Sequence, residues 1–291
     1  MSEQWLQFLF SGITVGAIYA LVGLGFTIIH NASGVVNFAQ GEFVMVGAMV
    51  AISAHGAGAP VAVAFAFALV ITVLVGLALH KLAIERAAQA SVVTLIIITI
   101  GASVFIRGAA LLVWGKDIQA LPAFSGEVPI TLGGATLLPQ NLWVLGGAAL
   151  LVVGVWFFFR HSLTGKAFLA CADNPTAAAL SGIPVANMQR LAYGLSAFLG
   201  AAAGVLITPI TFTTYDAGLM LGLKGFAAAI LGGMASPMGA VAGGLTLGVL
   251  ESFGAGLISS GHKDAIAFAL ILFVLILRPQ GLFGVRGGRR V

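Results

Sequence analysis

The chain has 291 residues, 13 of them Lys or Arg and 9 Asp or Glu, so 8% is charged and 60% is hydrophobic. A soluble domain is about one quarter charged. The shortage excludes a soluble globular enzyme, a disordered tail and a nucleic-acid-binding protein. With a net charge of only +4, the informative quantity is where the charges sit.

They sit in gaps. Between Leu6 and Leu79 the one formal charge is Glu42, and Ser91–Ile106, Asn141–Phe159, Leu191–Tyr215, Gly225–Leu250 and Ala265–Leu277 carry none. A bilayer core about 30 Å thick takes roughly 20 apolar helical residues to cross. Lipid offers backbone groups no partners, so the crossing segments are helices. A barrel would alternate polar and apolar residues along each strand, and Val92–Ile98 does not. The fold class is all-α: a polytopic membrane protein of about nine transmembrane helices, eight being the other count, some of them discontinuous. Residues 1–291 read as one transmembrane domain with a cytoplasmic loop at 160–190.

The first expected span, 6–29, follows Met-Ser-Glu-Gln-Trp, which lacks the basic start of a cleavable signal peptide. It carries Gly12/Gly16; Gly200/Gly204, Gly239/Gly243 and Gly244/Gly248 repeat the spacing. Small residues four apart let helices approach closely where lipid gives little drive to associate. The spacing fits generic helix contact, or a sliding interface.

The second expected span, 34–54, holds a polar island from Asn31 to Phe43. A carboxylate such as Glu42 near the bilayer centre costs about 2.5–3.5 kcal/mol, so it faces protein or a water-filled cavity. Asn37 and Gln40 stand three apart, and Gly41 permits a break whose opened backbone would serve a small polar solute. The other reading is that Glu42 lies near an interface or holds neighbouring helices together. The five His are scattered and no second carboxylate is adjacent, so no metal site is expected.

Further spans are expected at 60–79, 91–113 and 141–159. Arg107, seven residues before Trp114, is expected to snorkel to the outer interface. In the 160–190 loop, Asp173 or Asn174 is a good N-cap, Pro175 suits the first helical position, Gly182 suits the C′ position and Pro184 stops continuation. The apolar face of this short helix suits a partner's groove or the membrane surface. The lone Cys171 cannot form an intramolecular disulfide. The last spans are expected at 191–210, 219–235, 238–258 and 264–278. The final three are cut short by Lys224, Glu251 and His262-Lys263-Asp264, which suggests half-helices; Lys224 and Glu251 are candidates to pair.

Orientation follows the cations of short loops. With nine spans, Lys81, Arg86, Arg160, Lys166, Arg190, Arg278, Arg286, Arg289 and Arg290 share one side, which is then cytoplasmic. The N-terminus is expected outside and the C-terminus inside. No phosphate-binding loop, nucleophile elbow, His-Glu-x-x-His or Cys-x-x-Cys occurs, so the chain reads as a transporter, not an enzyme, with no cofactor of its own.

The chain resembles the LivH-like permeases of ATP-binding-cassette importers for branched-chain amino acids, nearly end to end. The resemblance rests on Gly16–Leu21, Val36–Phe43, Ala172–Asn174 through Gly182-Ile183, Lys224–Gly233 and Arg278–Gly284. The family often has His where Gln40 stands. The resemblance implies an inner-membrane pore shared with a sister permease (LivM-like), two cytoplasmic ATPase subunits and a periplasmic solute-binding protein. It implies that Asn37, Gln40, Gly41 and Glu42 line or support the solute path. It also implies that Asp173, Asn174, Pro175, Ala178, Gly182 and Ile183 form the helix that seats in an ATPase. Relatives that carry amides or urea widen the substrate class. The alternative is a stand-alone secondary transporter or channel in which Glu42 responds to protons or ions.

Overall fold

A computed structural model describes residues 2–87, 89–257, 261, 263–278 and 280–283. His262, Arg286, Arg289 and Arg290, and the Pro279 and Gly284 of the ending, lie outside the described residues. Helix α1 (Ser2–Ser33) is followed by α2 (Gln40–Gly56), α3 (Val61–Leu79), α4 (Val92–Trp114), α5 (Pro139–His161), α6 (Leu163–Asp173) and α7 (Pro175–Leu180). Then come α8 (Val185–Thr211), α9 (Ala217–Gly232), α10 (Pro237–Leu257) and α11 (Lys263–Leu277). Among the described residues, each expected span falls on a helix for most of its length. Among the described residues, six helices are long and apolar enough to cross a membrane: α1, α3 with its continuation to Ala87, α4, α5, α8 and α10.

The expected half-helices are α9 and α11, with 16 and 15 residues, whereas α10 has 21. The second span is also short. It begins at Gln40, not near 34, because residues 34–39 leave the helix, and α2 is 17 residues long. The α6 helix was not expected. Its one local signal is Ser162, whose hydroxyl accepts from Gly165 N at 2.8 Å and so caps the first turn.

The core lies along α1 and α8. In the most apolar window of each, 89% and 83% of residues are buried, against 22% for α3 and 17% each for α4 and α5. The latter three helices expose Phe67, Leu74, Ile97, Leu112, Leu150 and Phe157, as a lipid-facing ring should. The small-residue pairs all mark helix contacts. A Cβ on Gly12 would stand 2.6 Å from Val249 Cα, and one on Gly16 would stand 3.0 Å from Gly244 O. Gly200 and Gly204 admit Phe43 and Val44 of α2, while Gly239 and Gly243 admit Gly232 and Ala228 of α9. At each of these positions the spacing serves close helix approach.

Two short strands, β1 (Ile130–Leu132) and β2 (Ala135–Leu137), form an antiparallel hairpin in the α4–α5 connection. Gly133 and Gly134 turn it at φ of +60° and +86°, backbone angles that glycine adopts without strain. Gln7 pins the hairpin to α1, with its Oε1 accepting from Thr136 N at 2.8 Å. At the other end of the bundle, Leu282 N donates to Leu231 O at 2.7 Å, so the chain after α11 folds back onto α9.

Candidate functional site

Helix α4 turns one narrow stripe inward: Leu95, Thr99, Ser103 and Ala110 are its buried residues. Arg107 stands four after Ser103 and shares that stripe. Ser103 is the middle residue of the 23-residue helix, so the polar groups it meets are near mid-span. Its hydroxyl donates to Glu42 Oε1 at 2.8 Å. Arg107 Nε lies 3.6 Å from the same oxygen, and Arg107 Nη2 donates to Ser103 Oγ at 3.4 Å. Glu42 is 1% exposed and sits in the first turn of α2, where unpaired N–H groups favour a negative charge.

Arg107 therefore does not snorkel to the outer interface. A carboxylate and a hydroxyl on the inward stripe give its guanidinium nearer partners than the headgroup region. The signal was present in sequence: Thr99, Ser103 and Arg107 recur every four residues on a largely apolar helix, which places them on one face.

The other island residues knit the interior. Asn37 Oδ1 accepts from Ala39 N at 3.1 Å, the local bond that lets Asn shape a turn. Phe38 N donates to Thr99 Oγ1 at 3.1 Å, so α4 holds the non-helical entry to α2. Gln40 Nε2 donates to Ser196 O at 3.3 Å while Ser196 Oγ donates back to Gln40 Oε1, which fastens α2 to α8. A Cβ on Gly41 would stand 2.7 Å from Gly222 Cα, so only glycine lets α2 and α9 cross there. Asn37, Gln40 and Glu42 are all buried, and Gly41 with them. They bring α2 against α4, α8 and α9.

Beside them a recess of about 130 Å³ opens between α4 and α9. Phe26, Phe38 and Phe226 wall it, with Leu219 and Leu223 on the same helix as Phe226, and its polar lining residues are Ser103 and Arg107. The three phenyl rings form a continuous set, with Phe226 centred 5.6 Å from Phe26 and 5.5 Å from Phe38. Lys224, in the same helix as Phe226, faces the opposite way and pairs with Glu251, the partner the sequence offered. Among the described residues no group of three or more His, Cys, Asp and Glu is placed to hold a metal ion.

The loop helix forms as its sequence dictates. Asn174 Oδ1 accepts from Ala177 N at 3.0 Å, capping α7, and Pro175 occupies its first turn. Asp173 ends α6 instead. Gly182 takes φ +84°, and Ile183 N donates back to Ala178 O at 3.0 Å, the bond pattern of a closed helix C-terminus. Ala178 is buried, while Leu180 is 87% exposed at the tip. Cys171, buried in α6, has its thiol pKa pushed up by that burial.

Residues 8–275 match the family described as branched-chain amino acid transport system, permease component. The chain belongs to this family. The permease is 33% identical over 304 residues to the high-affinity branched-chain amino acid transport system permease protein LivH of Escherichia coli (strain K12), covering 98% of each chain. It is 32% identical over 297 residues to the corresponding protein BraD of Pseudomonas aeruginosa, covering 97% and 96%. The permease shares its fold with a chain of PsaBC from Streptococcus pneumoniae in complex with Fab, at a TM-score of 0.50 and 13% identity, over 94% and 92% of the two chains. It is a multi-pass membrane protein and a transport subunit.

Proposed function

We propose that this permease forms half of the pore of an ATP-driven importer, which carries branched-chain or related small amino acids across the inner membrane. The observation that carries the reading is Arg107. Its side chain is 22% exposed near the middle of α4, and hydrocarbon there would cost a cation about 2.5–3.5 kcal/mol. The recess it lines thus faces water or protein, which is what a solute path at a subunit boundary requires. Asn37, Gln40, Gly41 and Glu42 support that path by fixing α2 and α9 behind it.

The family likeness supports a sister permease (LivM-like), two ATPase subunits on the cytoplasmic side and a periplasmic binding protein. The segment Asp173–Ile183, built on α7 with Leu180 at the tip, is the part that docks in an ATPase. The side that holds Arg160, Lys166 and Arg190 is cytoplasmic by the distribution of cations, so the N-terminus is outside and the C-terminus inside. ATP is hydrolysed on the separate chains.

The test is reconstitution. The assembly co-purified from its native membrane is expected to take up leucine into liposomes only with ATP and the binding protein. Solute flux through the purified chain alone would overturn the reading in favour of a stand-alone carrier or channel.

A further inference from the structure

The recess is lined by a guanidinium that its neighbours engage only in part. Arg107 spends Nε on Glu42 and one weak Nη2 bond, 3.4 Å long, on Ser103. Its Nη1 makes no hydrogen bond among the described residues, and the side chain, whose outer edge is Nη1–Nη2, lines the cavity. That edge is the part of arginine that matches a carboxylate with two parallel bonds. The remaining walls are phenyl rings and aliphatic side chains, which suit an aliphatic group.

We propose that Arg107 binds the carboxylate of the translocated solute, whose apolar side chain lies against Phe26, Phe38 and Phe226. The proposal rests on the permease reading above and assigns the side chain that holds the carboxylate end of its amino-acid cargo, in a recess of about 130 Å³. Glu42 gives the site its moderation. At 3.6 Å from Nε it partly neutralises the cation, so the solute is held and can still leave. A path must bind its cargo weakly enough for release, as in selective pores.

The test uses the complete assembly in liposomes, with Cys171→Ser to remove the native thiol and Leu223→Cys as a reporter on the recess wall. Alkylation of that thiol by N-ethylmaleimide is followed with and without L-leucine or 3-methylbutylamine, the same carbon skeleton without the carboxylate. Leucine is expected to protect and the amine is not. Arg107→Gln should raise the leucine concentration needed for half-protection at least about tenfold, the scale of losing one charge-assisted partner. Arg107→Lys should keep part of the protection.

Because Arg107→Gln strands Glu42, the neutral pair Glu42→Gln/Arg107→Gln is measured beside it. A purely structural role predicts that this pair regains protection; carboxylate binding predicts that it does not. Equal protection by acid and amine, or full protection in the neutral pair, overturns the proposal while leaving the importer reading intact. An unsubstituted assembly that shows no ATP-dependent leucine uptake overturns both.

Discussion

Lys224 Nζ lies 2.7 Å from Glu251 Oε1, an ion pair between α9 and α10 whose side chains are 7% and 8% exposed. The Tyr19 hydroxyl of α1 donates to the second Glu251 oxygen at 2.9 Å, and Asp264 Oδ1 of α11 is also 2.7 Å from Lys224 Nζ. Four helices thus meet at one ammonium. Desolvation offsets most of what such a pair gains, but removing one member leaves a buried charge without compensation. Lys224→Met is therefore expected to lower stability by about 3–5 kcal/mol. Lys224→Met/Glu251→Leu should recover much of it. Thermal unfolding in detergent reads both; equal melting of the single and double variants would show the pair is not coupled.

Gln40 and Ser196 carry a smaller load in the same currency. Both side chains are buried, and each bonds the other across α2 and α8. Gln40→Leu leaves the Ser196 hydroxyl unpaired, which should cost about 1–3 kcal/mol, while removing both partners is close to neutral. Gln40→Leu/Ser196→Ala is accordingly expected to melt above Gln40→Leu. The reverse order would mean that volume, not hydrogen bonding, governs the contact.

What could be read in the sequence follows the range of the interaction responsible. Span positions were legible because apolar length is a local property, and α7 was legible because Asn174, Pro175 and Gly182 each act within one turn. The pairing of Lys224 with Glu251 could be offered, since two charges in apolar helices need partners, but not placed. The Gln40–Ser196 contact joins residues 156 positions apart, and no local pattern encodes it. Arg107 was legible and misread: its distance to Trp114 was weighed, while its spacing from Thr99 and Ser103 was not. The α6 helix escaped because lysine and glycine near its start mimic loop composition, with Ser162 as its lone marker.

Cys171 offers a check on the packing of the 160–190 loop. Burial in α6 raises its thiol pKa, so the reactive thiolate fraction is below that of a free thiol at any pH under the shifted value. Alkylation in the native permease should be slow at neutral pH and accelerate as pH rises, with full reactivity only after unfolding. Mass spectrometry of maleimide labelling across pH measures this. Rapid labelling at neutral pH would place Cys171 outside the packed interior.

Glu42→Gln separates the carboxylate's charge from its shape. The amide can still accept from Ser103, but it no longer offsets Arg107 at 3.6 Å. If Glu42 weakens the hold on a solute carboxylate, uptake should show KM and kcat falling together, by about threefold to tenfold, the effect of about 1 kcal/mol on a bound state. Initial-rate uptake in liposomes over a range of leucine concentrations checks it. An unchanged KM with reduced kcat would assign Glu42 to helix positioning alone.

The loop helix makes the sharpest demand on coupling. Gly182 holds φ +84°, where a Cβ costs about 1–2 kcal/mol, yet nothing lies within 4 Å of the position that Cβ would occupy. Gly182→Val therefore strains the end of α7 without a clash in the bundle. Leu180, 87% exposed, is the apolar knob that the end of α7 presents. If this segment seats in an ATPase, Gly182→Val and Leu180→Asp should each leave the permease assembled with its sister chain yet lose most of the binding-protein-stimulated ATPase activity and uptake. Asn174→Ala, which removes only a cap worth about 0.5–2 kcal/mol, should fall between them and the unsubstituted chain. Normal uptake and normal stimulated hydrolysis in Leu180→Asp would remove α7 from the ATPase interface, because a carboxylate on that exposed tip cannot be buried in an apolar groove at no cost.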